Sequence, residues 1–188
     1  MLRYEMAQLG SGIVLLDRLF LTREKGELAY PVMREQLQAV PEGQALVLLF
    51  PADQLMDASF ADETIVRLGE ELVAGMYGDR GLVLEGLTEN SQHNLNAVIR
   101  LRHLKLAFLH VRSGEAEHIL GQLEPSLKET LALVAQQGHL TAPALAGVLD
   151  IAVNGASNRL KRLYDLHLVR REFEVSSQGL EYIYSCWQ

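Results

Sequence analysis

The side chains with the most suggestive spacing lie between residues 153 and 167. A helix over Val153 to His167 stacks Ala156, Leu160 and Leu163 on one face. Its other face then carries Asn154, Ser157, Asn158, Lys161 and Arg162. Asn can bond adenine through N6 and N7, and Lys or Arg can reach guanine or phosphate, so this face suits the major groove of double-stranded DNA. Arg170 and Arg171 follow shortly after and could reach phosphate. The same residues also fit a polar face that is merely solvated, or one that contacts protein. Glu172 and Glu174 support that second reading, because they place acid where a basic footprint would be expected.

A second candidate is Ser59. It stands just before a helical pattern, with Asp62 and Glu63 three and four residues on, close to a capping-box arrangement. As a cap it would contribute ~1 kcal/mol to stability. As a phosphorylation or switch site, it would place a phosphate at a helix N-terminus, where free N–H groups and the dipole favour it. Asp53, Asp57, Asp62 and Glu63 crowd the same stretch and oppose that charge. These carboxylates have no ligand spacing of a known Mg²⁺ or Ca²⁺ site, and no metal is expected.

Other chemistry is thin. The six histidines, His93, His103, His110, His118, His139 and His167, form no HExxH and no i, i+4 ligand pair. Gly10-Ser11-Gly12 precedes an apolar run instead of following one, which does not fit a phosphate loop. There is no GxSxG elbow, and Cys186 sits among Tyr182, Tyr184 and Trp187, where it is expected to pack in a strand. No catalytic residue and no cofactor are expected.

The elements that must hold these side chains follow from period and punctuation. Gly12 to Thr22 reads as one bulged strand or two tight ones. Glu27 to Val40 reads as a helix stopped by Pro41, and Ala45 to Phe50 as a buried central strand. Phe60 to Ala74 reads as a helix, Gly81 to Glu85 as a strand, Gln92 to Leu104 as a helix and Lys105 to Val111 as a strand. Glu115 to Leu123 reads as a short helix. This alternation predicts an α/β layer of βαβ crossovers over residues 1–122. Residues 123–188 change grammar: helices over Leu127 to Ala135, from Thr141, and over Val153 to His167, then two alternating strands around Ser-Ser-Gln-Gly. The junction at Glu124-Pro125 is short, which predicts coupled domains.

The run LTAPALAGVLDIAVNGASNRLKRLYDLHLVRR, Leu140 to Arg171, resembles the winged helix-turn-helix of bacterial transcriptional regulators. The resemblance covers helix 2, the turn at Asp150-Ile151-Ala152, the recognition helix and the entry into the wing. It implies a small α+β winged helix-turn-helix that binds DNA. Ala45 to Leu72, ALVLLFPADQLMDASFADETIVRLGEEL, resembles the strand–loop–helix of STAS-like domains, in particular a bacterial group with an SFADE signature, here Ala58 to Glu63. With the order of strands and helices around it, this resemblance covers most of residues 12–121. In anti-sigma-factor antagonists of the wider superfamily an Asp-x-Ser-Gly loop carries a phosphorylated serine. Asp57 and Ser59 match that loop, and Phe60 replaces its glycine.

Composition bounds the function. Apolar residues make up 48% of the 188 and charged residues 22%, which suits a folded chain and excludes disorder. The net charge is −7, so binding to nucleic acid or an anionic membrane cannot come from bulk charge and must be local. A single cysteine excludes an internal disulfide and fits the cytoplasm, and no signal peptide or membrane span is expected. The resulting expectation is a cytoplasmic, homodimeric transcriptional regulator that binds double-stranded DNA. Its STAS-like domain would take a regulatory protein or small ligand. The alternative is a non-enzymatic adaptor whose winged helix contacts protein.

Overall fold

The computed structural model describes residues 1–11, 19–51, 53–112, 118–176 and 179–187. The chain is mixed α/β, built on a five-stranded sheet of order β1-β2-β3-β4-β5. Its strands are β1 (Leu2–Glu5), β2 (Ala45–Leu49), β3 (Gly81–Glu85), β4 (Ala107–Val111) and β5 (His118–Gly121). The first four are parallel and β5 is antiparallel to β4. Because spatial order follows chain order, every parallel crossover steps in the same direction, and right-handed crossovers then put all the connecting helices on one face.

That face carries α1 (Arg23–Ala39), the run α2 (Ala58–Ala61), a π turn (Asp62–Val66) and α3 (Arg67–Val73), and then α4 (Glu89–Leu101). Ala29, Met33 and Leu37 of α1, Phe60 and Ile65, and Leu95 and Ile99 of α4 pack there with Leu46, Leu48, Leu82, Leu84 and Phe108 of the sheet. The alternate strand residues Ala45, Val47, Val83, Ala107 and Leu109 point the other way and are just as buried. Burial on both faces explains why ALVLL and GLVLE read as continuous apolar runs.

The second face is covered by the rest of the chain. Helices α5 (Pro125–Gln137), α6 (Ala142–Leu149) and α7 (Val153–Asp165) join strands β6 (Leu140–Thr141), β7 (Arg170–Ser176) and β8 (Gly179–Ser185) in an antiparallel sheet of order β6-β8-β7. Leu127, Leu131, Leu160, Leu163, Leu168, Tyr184 and Trp187 form one apolar cluster with the sheet residues of the second face. Trp187 anchors it. Its Nε1 donates to the His167 carbonyl at 3.0 Å, and the His167 Nδ1 donates to the Arg80 carbonyl at 2.6 Å. A Cβ on Gly81, the first residue of β3, would collide with the indole, so that strand position has to be glycine.

Several boundaries differ from those read in the sequence. The segment expected as a helix over Glu115 to Leu123 contains β5 from His118 to Gly121. Pairing it with β4 satisfies an otherwise open sheet edge, and Gly121, at φ 96, passes so close to the Leu106 carbonyl that a side chain would clash. β1 was not expected, because Leu-Arg-Tyr-Glu is a mostly exposed edge strand of only four residues, too short for its alternation to stand out. Helix α1 begins at Arg23, ahead of the expected Glu27, because the Thr22 hydroxyl accepts from the Lys25 N–H at 3.4 Å. Of the strand expected over Gly12 to Thr22, residues 12–18 lie outside the described residues. The same holds for residues 115–117 of the expected short helix and for residues 177–178 of the hairpin turn. Among the described residues no helix is long and apolar enough to cross a membrane.

Candidate nucleic-acid interface

Helix α7 is set at its angle by the three-residue turn Asp150-Ile151-Ala152. Helix α6 opens with Thr141, whose hydroxyl accepts from the Ala144 N–H, and closes at Asp150 in the left-handed region, φ 52 and ψ 49. A short polar side chain tolerates that conformation better than most. The Ile151 N–H then donates to the Ala146 carbonyl at 3.1 Å, and α7 starts at Val153. Ala156, Leu160 and Leu163 are fully buried, which fixes the rotation of the helix.

That rotation exposes Asn154, Ser157, Asn158 and Lys161 in a single row, as their i, i+3, i+4 and i+7 spacing requires. The cations around the row are engaged within the protein. Lys161 Nζ lies 2.5 Å from Asp165, one turn on. Arg162 is bidentate on Glu124, with contacts of 2.7 and 2.9 Å, and this pair holds both side chains to their charged forms. Arg159, which the spacing argument passed over, reaches Glu129 of α5 at 3.1 Å.

The structure does not bring the two arginines after α7 into this row. Arg170 donates through Nε to the Ser185 hydroxyl at 2.8 Å and pairs with Glu172 at 3.1 Å. The Arg171 guanidinium lies between the rings of Tyr164 and Tyr182, 4.0 and 4.4 Å from their centroids. Nearby, burial holds the Asp79 carboxyl above its ordinary range, against the opposing pull of His167, Tyr164 and Arg171. Arg171 therefore belongs to the seam between the C-terminal part and the Asp79 loop. A signal for that seam was present in the sequence: an isolated glycine, Gly81, opening an apolar strand marks a close approach.

The Ser59 region also departs from expectation. The helix is capped by Asp57, whose Oδ1 accepts from the Phe60 N–H at 2.7 Å, while its Oδ2 accepts from the Thr22 N–H at 2.9 Å. Ser59 is one residue inside the helix, exposed, and does not act as the cap. Asp57 thus holds Thr22, a β-branched residue at φ 75, in a conformation that such residues rarely adopt.

The acidic crowd around Ser59 is neutralised. Asp62 binds Arg23 at 2.8 Å and Arg102 at 2.7 Å, and Glu63 binds Arg23 and Arg67 at 2.8 Å each. Burial works to raise the Asp62 pKa, but the two arginines outweigh it and hold the carboxyl below its ordinary range. Arg23, Ser59, Asp62, Leu101 and Arg102 line an open hollow of about 230 Å³. Among the described residues no group of three His, Cys, Asp or Glu side chains converges as a metal site would require.

Compared with models of protein families, with curated proteins and with solved structures, the chain finds no match in any of the three, so its site has to be read from its own geometry.

Proposed function

We propose that this chain is a DNA-binding transcriptional regulator. In this reading residues 123–188 act as a winged helix-turn-helix, and residues 1–122 are a STAS-like layer that takes a regulatory protein or small ligand. The observation that carries it is the exposed row Asn154, Ser157, Asn158 and Lys161 on a helix whose opposite face is locked in the core. Amide and hydroxyl groups in such a row match base edges, whereas the cations that would grip phosphate are tied to Asp165, Glu124 and Glu172. Binding would therefore rest on sequence more than on charge. Two copies in the cytoplasm, with their rows one helical turn of DNA apart, would supply the affinity that a single row lacks.

The test is enrichment of a sequence from a random duplex pool, followed by anisotropy titrations across salt. A selected duplex should bind with a shallow salt dependence, losing about one unit of slope in Lys161→Ala if Lys161 meets phosphate. Asn158→Ala should weaken the selected duplex by ~1–3 kcal/mol and relax sequence preference. Failure to enrich any duplex sinks the reading.

The adaptor reading has its own support. Phe173 and Val175 on β7 are 65% and 79% exposed, and they are flanked by Glu172 and Glu174. An apolar strand edged with acid suits a protein partner better than a phosphate backbone.

A further inference from the structure

A groove of about 650 Å³ runs along the junction, where the strand end at Gly121 turns into α5 and the last turn of α7 comes alongside. That volume lies in the range of small-molecule sites, roughly 300–1,000 Å³. Its walls are apolar, formed by Val73 at the end of α3, Leu123, Leu127 of α5 and Leu166 after α7. Leu123 and Leu127 are buried members of the second core and give the groove a rigid floor.

The rim is charged, and its charges are unequally spent. Glu124 is already clasped by Arg162, and Asp165 is taken by Lys161, which is not part of the groove lining. Lys105 and Lys128 also line the rim and form no ion pair among the described residues. Lys105 is close enough to Glu124 to help lower its pKa, and Lys128 lies one helical turn beyond Glu124. The groove therefore combines an apolar floor with two ammonium groups that stand in no ion pair among the described residues, beside a carboxylate already clasped by Arg162.

We propose that this groove binds a small organic anion, a monocarboxylate with a single apolar chain or ring. The apolar body lies on Leu123, Leu127, Leu166 and Val73, and the carboxylate is held between Lys105 and Lys128. A neutral ligand of the same shape would forgo the charge-assisted bonds, and a cation would meet both lysines. The site spans elements from both parts of the chain, so an occupied groove ties α3 and β5 to the end of α7. This site does not depend on whether α7 reads DNA.

The test uses calorimetric titration of the full chain with sodium octanoate, sodium 4-phenylbutyrate, octanamide and octylammonium chloride. Either carboxylate should bind saturably with a stoichiometry of one, at least tenfold more tightly than octanamide, and octylammonium should give no saturable heat. Lys105→Ala with Lys128→Ala should weaken carboxylate binding tenfold or more and leave the melting temperature of the unliganded protein unchanged, because both side chains are exposed. Val73→Glu places a negative charge at an exposed wall position and should weaken binding as well. The proposal is overturned if neither carboxylate saturates, if octanamide binds as tightly, or if the double lysine variant and Val73→Glu both bind as the unmodified chain does.

Discussion

The two faces of the five-stranded sheet are equally buried but are covered in different ways. One is closed by helices that sit between consecutive strands in the chain, so each strand brings its own cover. The other is closed from a distance, by α5, α7, β8 and Trp187, after the sheet is complete. The locally closed face depends on patterning that any window of sequence displays. The remotely closed face depends on fitted contacts, namely Gly81 against the indole and His167 against the Arg80 carbonyl. The row of polar side chains on α7 rides on that second cover, so its placement is as firm as the seam beneath it.

The largest expected effect comes from removing the second cover altogether. Residues 1–122 alone should fail to give a monomeric, cooperatively melting protein, because Val47, Val83 and Leu109 would face water. Soluble monomer with a sharp thermal transition would show that the sheet needs only one cover. Next, Trp187→Ala should cost about 3–5 kcal/mol in chemical denaturation, as truncating a buried aromatic does. Gly81→Ala should be strongly destabilising in the natural chain and close to neutral in the Trp187→Ala background. Additive losses in that cycle would mean that the seam is not held by this contact.

On the locally closed face the caps can be separated. Asp57→Ala should lose ~1–2 kcal/mol, because it frees the Phe60 and Thr22 N–H groups together, whereas Ser59→Ala should stay within about 0.5 kcal/mol. Equal losses would return Ser59 to a capping role. The smallest effect concerns Asp79. Its raised folded pKa means that the folded state holds this proton to higher pH than the unfolded state does, so ionising it weakens the fold. Asp79→Asn should raise the melting temperature slightly at neutral pH, and the gain should shrink as pH falls through the carboxyl range. A lower melting temperature for Asp79→Asn at neutral pH would make the ionised carboxylate a net contributor.

What the sequence shows and hides follows the same division. Gly81–Glu85 matches its expected span, and Ala45–Leu49 does so within one residue, because strands buried on both sides have few polar residues to blur their ends. The exposed row on α7 was legible from its spacing against Ala156, Leu160 and Leu163. The pairing of Arg162 with Glu124, 38 residues earlier, was not legible, nor was the stacking of Arg171 on Tyr164 and Tyr182. Those contacts depend on where distant segments meet, which leaves no local period. His118–Gly121 was misread for a related reason: four residues are too few to separate a strand from a helix, and β4 decides the matter.

Closing the second face with Trp187 also has a consequence in time. Chains are synthesised from the N-terminus at roughly 5–20 residues per second, so about 4–16 s separate the making of Leu109 from that of Trp187. Throughout that interval the sheet can acquire its helical cover, while Val47, Val83 and Leu109 remain open to other nascent chains. A cell making this protein quickly would gain from a holding chaperone that favours apolar sheet surface, and slower decoding between α5 and β8 would lengthen the period of risk.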